Sequence, residues 1–156
     1  MKKIDFKLLF KFIIIALIFG VVGAIFGGKM DTFDNLNKPS FVPPAIVFPI
    51  VWTILYILMG ISAYLICTNN TDEKFRKRAI AIYTLQLAIN ALWPLFFFRF
   101  NMLGFAFFWL LLLLGIVLVM FIKFFKISPV AGYLQIPYII WLVFAGILNY
   151  TIYTMN

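Results

Sequence analysis

Residues 102–122 run for 21 positions without a charged side chain. A helix rising about 1.5 Å per residue needs about 20 apolar residues to cross about 30 Å of hydrocarbon. Buried helices of water-soluble proteins rarely stay uncharged for so long. The rest of the chain agrees, being 65% hydrophobic and 12% charged, against roughly 45–50% and about 25% in soluble domains. Polar breaks divide the apolar sequence into five stretches, at about 8–26, 45–67, 79–98, 102–122 and 130–153. Each is long enough to span a bilayer, with tilt absorbing any excess. The expectation is an all-α membrane protein, residues 1–156 forming a single domain of five transmembrane helices in a bundle. No internal repeat supports an inverted-repeat transporter.

The net charge of +8 does not point to nucleic acid, because the basic residues sit in short clusters between apolar blocks, where they set membrane orientation. With five spans, one side carries Lys2, Lys3, Lys7, Lys11, Lys74, Arg76, Lys77, Arg78, Lys123 and Lys126, and the other Lys29, Lys38 and Arg99. This places the N-terminus in the cytoplasm and the C-terminus outside, in a multi-pass protein of the plasma membrane. The stretch 8–26 is too long for a typical signal-peptide core and no Ala-x-Ala site follows it, so it reads as a retained first helix. The lone Cys67 excludes an internal disulfide and any multi-cysteine metal site. The absence of histidine excludes His-ligated haem or zinc and imidazole-based triads.

The one long connection, 27–44, begins with Gly27-Gly28, a helix stop, and ends with Lys38-Pro39-Ser40-Phe41-Val42-Pro43-Pro44. Proline fixes its own φ and extends the residue before it, so this segment is expected to be a stiff extended element. It serves either as a lid, with Phe33 and Phe41 over a cavity opening, or as an ordered connector.

Polar side chains inside lipid-spanning helices are costly and face the bundle interior. In the third span Gln86 and Asn90 are four apart, with Trp93 and Phe97 continuing the face. In the fifth, Tyr138, Trp141, Ala145 and Leu148 share a face beside Asn149. In the second, Phe48, Trp52 and Tyr56 form a stripe. Two readings fit these faces. One is a pocket for a flat, largely apolar ligand, in which aromatics stack and amides and hydroxyls orient. The other is helix–helix packing with Asn and Gln as interhelical partners. Trp52, Tyr64 and Tyr153 lie near span ends and also suit interfacial anchors. No charged residue sits deep in the last four spans, so proton relays, ion-coupled pumping and acid–base catalysis have little to work with.

The motifs themselves resemble the TspO/MBR family, the tryptophan-rich sensory proteins and translocator proteins that include the peripheral benzodiazepine receptor. The resemblance is carried by residues 38–44, by Val47-Phe48-Pro49 through Trp52, Tyr56 and Gly60, by Gln86-Leu87, Asn90, Trp93 and Phe96-Phe97, and by Ile136-Pro137-Tyr138, Trp141, Phe144-Ala145 and Leu148-Asn149. It covers the chain from the first loop onward. It implies a five-helix bundle, usually homodimeric, with an intramembrane pocket closed by the first loop. The family's ligands are porphyrins such as protoporphyrin IX and haem, isoquinoline carboxamide and benzodiazepine-type drugs and, in animal members, cholesterol. No obligatory cofactor is implied, porphyrin being a ligand. Carried over by position, the pocket comprises Phe41, Pro43, Pro44, Phe48, Trp52, Tyr56, Gln86, Asn90, Trp93, Phe97, Tyr138, Trp141, Ala145 and Asn149. The implied function is a membrane receptor or sensor in tetrapyrrole handling. The alternatives are light-dependent porphyrin degradation, for which Trp52 and Trp141 would be the photochemical residues, and facilitated passage of small amphipathic molecules. Three departures bear on this. Thr32-Phe33 stands where the family commonly has Trp-Tyr, and Phe41 where it has Trp. No Lys or Arg follows Tyr150 to complete the proposed sterol motif.

Overall fold

The computed structural model describes residues 4–28 and 31–156. Lys2, Lys3 and Lys29 of the charge count, and the side chain of Thr32, lie outside the described residues. Among the described residues the chain is all-helical: α1 (Phe6–Gly27), the short α2 (Asp31–Asp34), α3 (Val47–Thr68), α4 (Glu73–Pro94) continued by a π-helical turn (Leu95–Arg99), α5 (Leu103–Ile127), the short α6 (Pro129–Tyr133) and α7 (Ile136–Met155). Five segments among them, Phe6–Gly27, Val47–Thr68, Glu73–Arg99, Leu103–Ile127 and Pro129–Met155, are long and apolar enough to cross a membrane. The protein is a multi-pass helical membrane protein.

Four of the five spans outlast their apolar stretches, α3 being the exception, because helices end at caps and not where hydropathy falls. α4 starts at Glu73, six residues before the expected position, where the Asp72 carboxylate accepts from the Lys74 and Phe75 amides at 2.8 and 3.3 Å. That cap satisfies two of the otherwise orphaned N–H groups. α5 likewise carries Lys123 and Lys126 within the helix before ending at Ile127. α1 stops as expected, with Gly28 at φ 70°.

Prolines shape the two other departures from straight spans. Pro94 sits inside α4, and immediately after it the chain widens to the π turn, with Phe100 N–H donating to Leu95 O at 3.0 Å. Pro137 has no N–H to offer to the carbonyl of Tyr133. The fifth span accordingly breaks into α6 and α7, and Gln135 N–H closes a tight turn onto Gly132 O at 2.9 Å.

α1 packs against α3 and α4, and α5 against α4, α6 and α7. At two crossings small residues let backbones meet, as lipid-embedded helices require. A Cβ on Gly60 would lie 2.6 Å from Ile13 Cα, and one on Gly23 3.2 Å from Ala91 Cα. The apolar side chains of α1 that point away from these contacts, such as Ile14, Ile18, Val21 and Ile25, are exposed and suited to lipid.

The connection from α2 to α3 is not one extended run. Val42 N–H donates to Pro39 O at 3.2 Å, closing a turn over Ser40 and Phe41. Only residues that directly precede a proline are barred from helical backbone, and neither Ser40 nor Phe41 does.

Candidate functional site

Three helices bring most of the sequence-selected residues together, in layers that the hydrogen bonds define. α3 runs antiparallel to α4, since Tyr56 pairs with Asn90 and Met59 with Gln86. α7 runs parallel to α4, since Tyr138 pairs with Gln86 and Asn149 with Trp93.

In the outer layer Trp93 stacks on Phe97, centroids 4.9 Å apart. Its indole N–H donates to Asn149 Oδ1 at 3.3 Å, and the Asn149 amide donates to the Leu103 carbonyl at 2.9 Å. Asn149 thus ties α4, α5 and α7 with both ends of one side chain. Ala145 lies one turn from both Trp141 and Asn149 on the same side of α7, and is half-buried.

The next layer is aromatic. Trp52 meets Trp141 edge-on, with centroids 6.5 Å apart and planes at 89°. It also contacts Tyr56 at 5.7 Å and Tyr138 at 6.2 Å. Phe48 reaches Trp141 at 5.9 Å and joins this group to the outer one. Beneath the indoles the Asn90 amide donates to the Tyr56 hydroxyl at 3.1 Å, and the Tyr138 hydroxyl donates to Gln86 Oε1 at 3.0 Å. Gln86, Asn90, Tyr138 and Asn149 are all buried. Buried polar groups in hydrocarbon must be paired, and each of these is: Gln86 with Tyr138, Asn90 with Tyr56, and Asn149 with Trp93 and the Leu103 carbonyl. One group in the layer does not: the Trp141 indole N–H is buried without a hydrogen-bond partner in the protein.

The first loop contributes differently from expectation. Phe41 is 46% exposed, and Pro44 is exposed beside a half-buried Pro43. The loop residues that pack on the outer layer are Phe33, Leu36 and Val42. Leu36 and Val42, like Phe144, which contacts Trp141 at 5.3 Å, were missed by sequence reasoning. An irregular loop has no period that would show which side chains turn inward. The loop is fastened to the end of α7. Asn37 N–H donates to Asn156 Oδ1 at 2.9 Å, and the Asn37 and Asn156 amides donate to the Met155 and Asn37 carbonyls at 3.2 and 3.0 Å.

The site therefore offers aromatic faces, neutral amides, phenols and one unused indole N–H, with no acid, base or nucleophile. Its rings touch one another, so a ligand must part them. No group of metal-ligating residues occurs among the described residues. An apolar groove of about 320 Å³ lies elsewhere, between α5 and α7, lined by residues such as Leu110, Leu114 and Gly146.

Comparison with known proteins agrees with this architecture. The TspO/MBR family profile matches residues 12–155. The chain is 35% identical over 137 residues to Protein CrtK of Rhodobacter capsulatus, covering 88% of this chain and 85% of that protein. It is 35% identical over 135 residues to the human translocator protein, covering 85% and 79%. It is 30% identical over 149 residues to the tryptophan-rich protein TspO of Chlorobaculum tepidum, covering 91% of each. The chain belongs to the TspO/MBR family.

Proposed function

We infer that this protein is a membrane receptor or sensor that binds porphyrins, such as protoporphyrin IX and haem, and drug-like hydrophobic ligands between α3, α4 and α7, in tetrapyrrole handling. The observation that carries this reading is the crossed indole pair Trp52 and Trp141 beside the unpartnered Trp141 N–H. A flat ring system gains stacking surface from such indoles, and a ligand acceptor would satisfy the buried donor, which otherwise costs on the order of 1–3 kcal/mol. The amide and phenol groups below the indoles would orient polar substituents. With no charged side chain to anchor a ligand, affinity rests on burial and stacking, which favours large flat ligands over small polar ones. Porphyrin affinity should fall in Trp141→Ala and Asn90→Ala. Unchanged affinity in both would remove the assignment.

The same geometry gives a second reading some support. Trp52 and Trp141, 6.5 Å apart, would both lie beside a bound porphyrin, as light-dependent breakdown would require. A new chromophore that forms only with illuminated protein and disappears in Trp52→Phe would favour it. The basic-residue asymmetry supports insertion in the plasma membrane with the N-terminus in the cytoplasm and the C-terminus outside. The family resemblance supports a homodimer.

A further inference from the structure

The layered register continues one turn past Gln86 and Tyr138, away from Trp93, into a polar layer that the proposed ligand site does not use. Three residues toward the N-terminus from Gln86 on α4 is Tyr83, and three before Tyr138 is Gln135, the N-cap of α7, whose backbone is still in the helical region at φ −88° and ψ −13°. Three further along α3 from Met59 is Ser62. Because residues three apart share a helix face, these three side chains follow the Met59–Gln86–Tyr138 layer into the same interior space. All are buried: Ser62 and Gln135 are 0% exposed and Tyr83 is 3%. α4 and α7 are parallel, and helical side chains lean toward their own N-termini, so Tyr83 and Gln135 lean the same way and stay level.

The hydrogen bonding of this layer is incomplete. Ser62 donates to the Ala131 carbonyl at 2.7 Å, keeping acceptor capacity on its oxygen. The Tyr83 hydroxyl and both ends of the Gln135 amide, Nε2 and Oε1, have no partner in the protein. The layer above holds the same two residue types in exchanged positions, and there they are bonded. Unmet groups in so apolar a surrounding cost on the order of 1–3 kcal/mol each. Closing Tyr83 directly onto Gln135 would satisfy one end of the amide and leave the other.

We propose that Ser62, Tyr83 and Gln135 form a binding site for internal water between α3, α4 and α7. Buried waters make about three hydrogen bonds to otherwise unsatisfied groups, and the hydroxyl and the two amide ends supply three. An ion is disfavoured, because no lining side chain is charged and burying an uncompensated charge costs far more than burying a water. The bound water couples α4 to α7 where they share no direct bond, and separates the aromatic site from the end of the bundle at which α4 begins.

The chain contains two glutamines, Gln86 and Gln135, so selective glutamine ¹⁵N labelling yields two side-chain amides, and Gln86→Leu assigns them. Water-edited solid-state NMR of the full chain in lipid vesicles then reads which amide contacts water. Gln135 should receive water magnetisation about threefold faster than Gln86, which is bonded to Tyr138 and Met59, with that advantage reduced by about half in Tyr83→Phe. Transfer to Gln135 no faster than to Gln86 in the wild-type protein would overturn the proposal, whether both amides are dry or both are wet. An advantage that survives intact in Tyr83→Phe would overturn the role of Tyr83.

Discussion

Asn37 and Asn156 lie 119 positions apart and clasp one another: the Asn37 N–H reaches Asn156 Oδ1 at 2.9 Å, and the Asn156 amide returns a bond to the Asn37 carbonyl at 3.0 Å. This clasp pins the first loop over the outer layer of the site. Loop sealing thus depends on a polar latch at the rim as well as on apolar packing by Phe33, Leu36 and Val42.

Asn156→Ala removes both bonds of the clasp made by that side chain. At the low end of the usual range, about 0.5 kcal/mol each, the two solvent-exposed bonds together contribute about 1 kcal/mol, so loop opening should rise by about fivefold. Porphyrin association and dissociation should both accelerate by that factor, with affinity nearly constant, in stopped-flow mixing. A change confined to dissociation would mean that the clasp supports bound ligand directly.

The Asn90–Tyr56 bond should show as coupling between α4 and α3. Tyr56→Phe leaves the Asn90 amide without its acceptor. In a double-mutant cycle with Asn90→Ala, read by unfolding in detergent, the expected coupling is about 0.6 kcal/mol, the size usual for interhelical bonds in membranes. Strict additivity would contradict the bond.

Gly60→Ala and Gly115→Ala should part company. A methyl at Gly60 meets the Ile13 backbone at 2.6 Å, whereas Gly115 has nothing within 4 Å. Forcing α1 from α3 should cost about 1–3 kcal/mol. Gly115→Ala should be neutral or stabilising by up to about 1 kcal/mol, through helix propensity. Equal effects on thermal unfolding in detergent would argue against the α1–α3 crossing.

The spans were legible because lipid demands about 20 apolar residues, a signal strong enough to survive the error in every boundary. The largest of those errors, at the start of α4 and the end of α5, have one cause. Hydropathy stops at Arg78 or Lys123, but backbone hydrogen bonding continues to a cap such as Asp72. The faces of the site were legible from spacings of three and four, as in Gln86 with Asn90 and Tyr138 with Trp141. The partner of each amide was not, since that depends on the relative heights of α3, α4 and α7. Tyr83 and Gln135 escaped notice for the same reason: each becomes conspicuous only when the neighbouring helix is seen to offer it nothing. In the loop, Val42 packs inward and Phe41 is exposed, and a turn, having no period, gives no sign of which neighbour faces inward.

Titration of the detergent-purified protein with protoporphyrin IX in the dark, followed by tryptophan fluorescence, asks whether the crossed tryptophans form a tetrapyrrole site. Saturable quenching is expected, with affinity weakened about tenfold in Trp141→Ala, the factor for a loss of about 1.4 kcal/mol. Quenching that never saturates, or saturates identically in Trp141→Ala and Asn90→Ala, would contradict it.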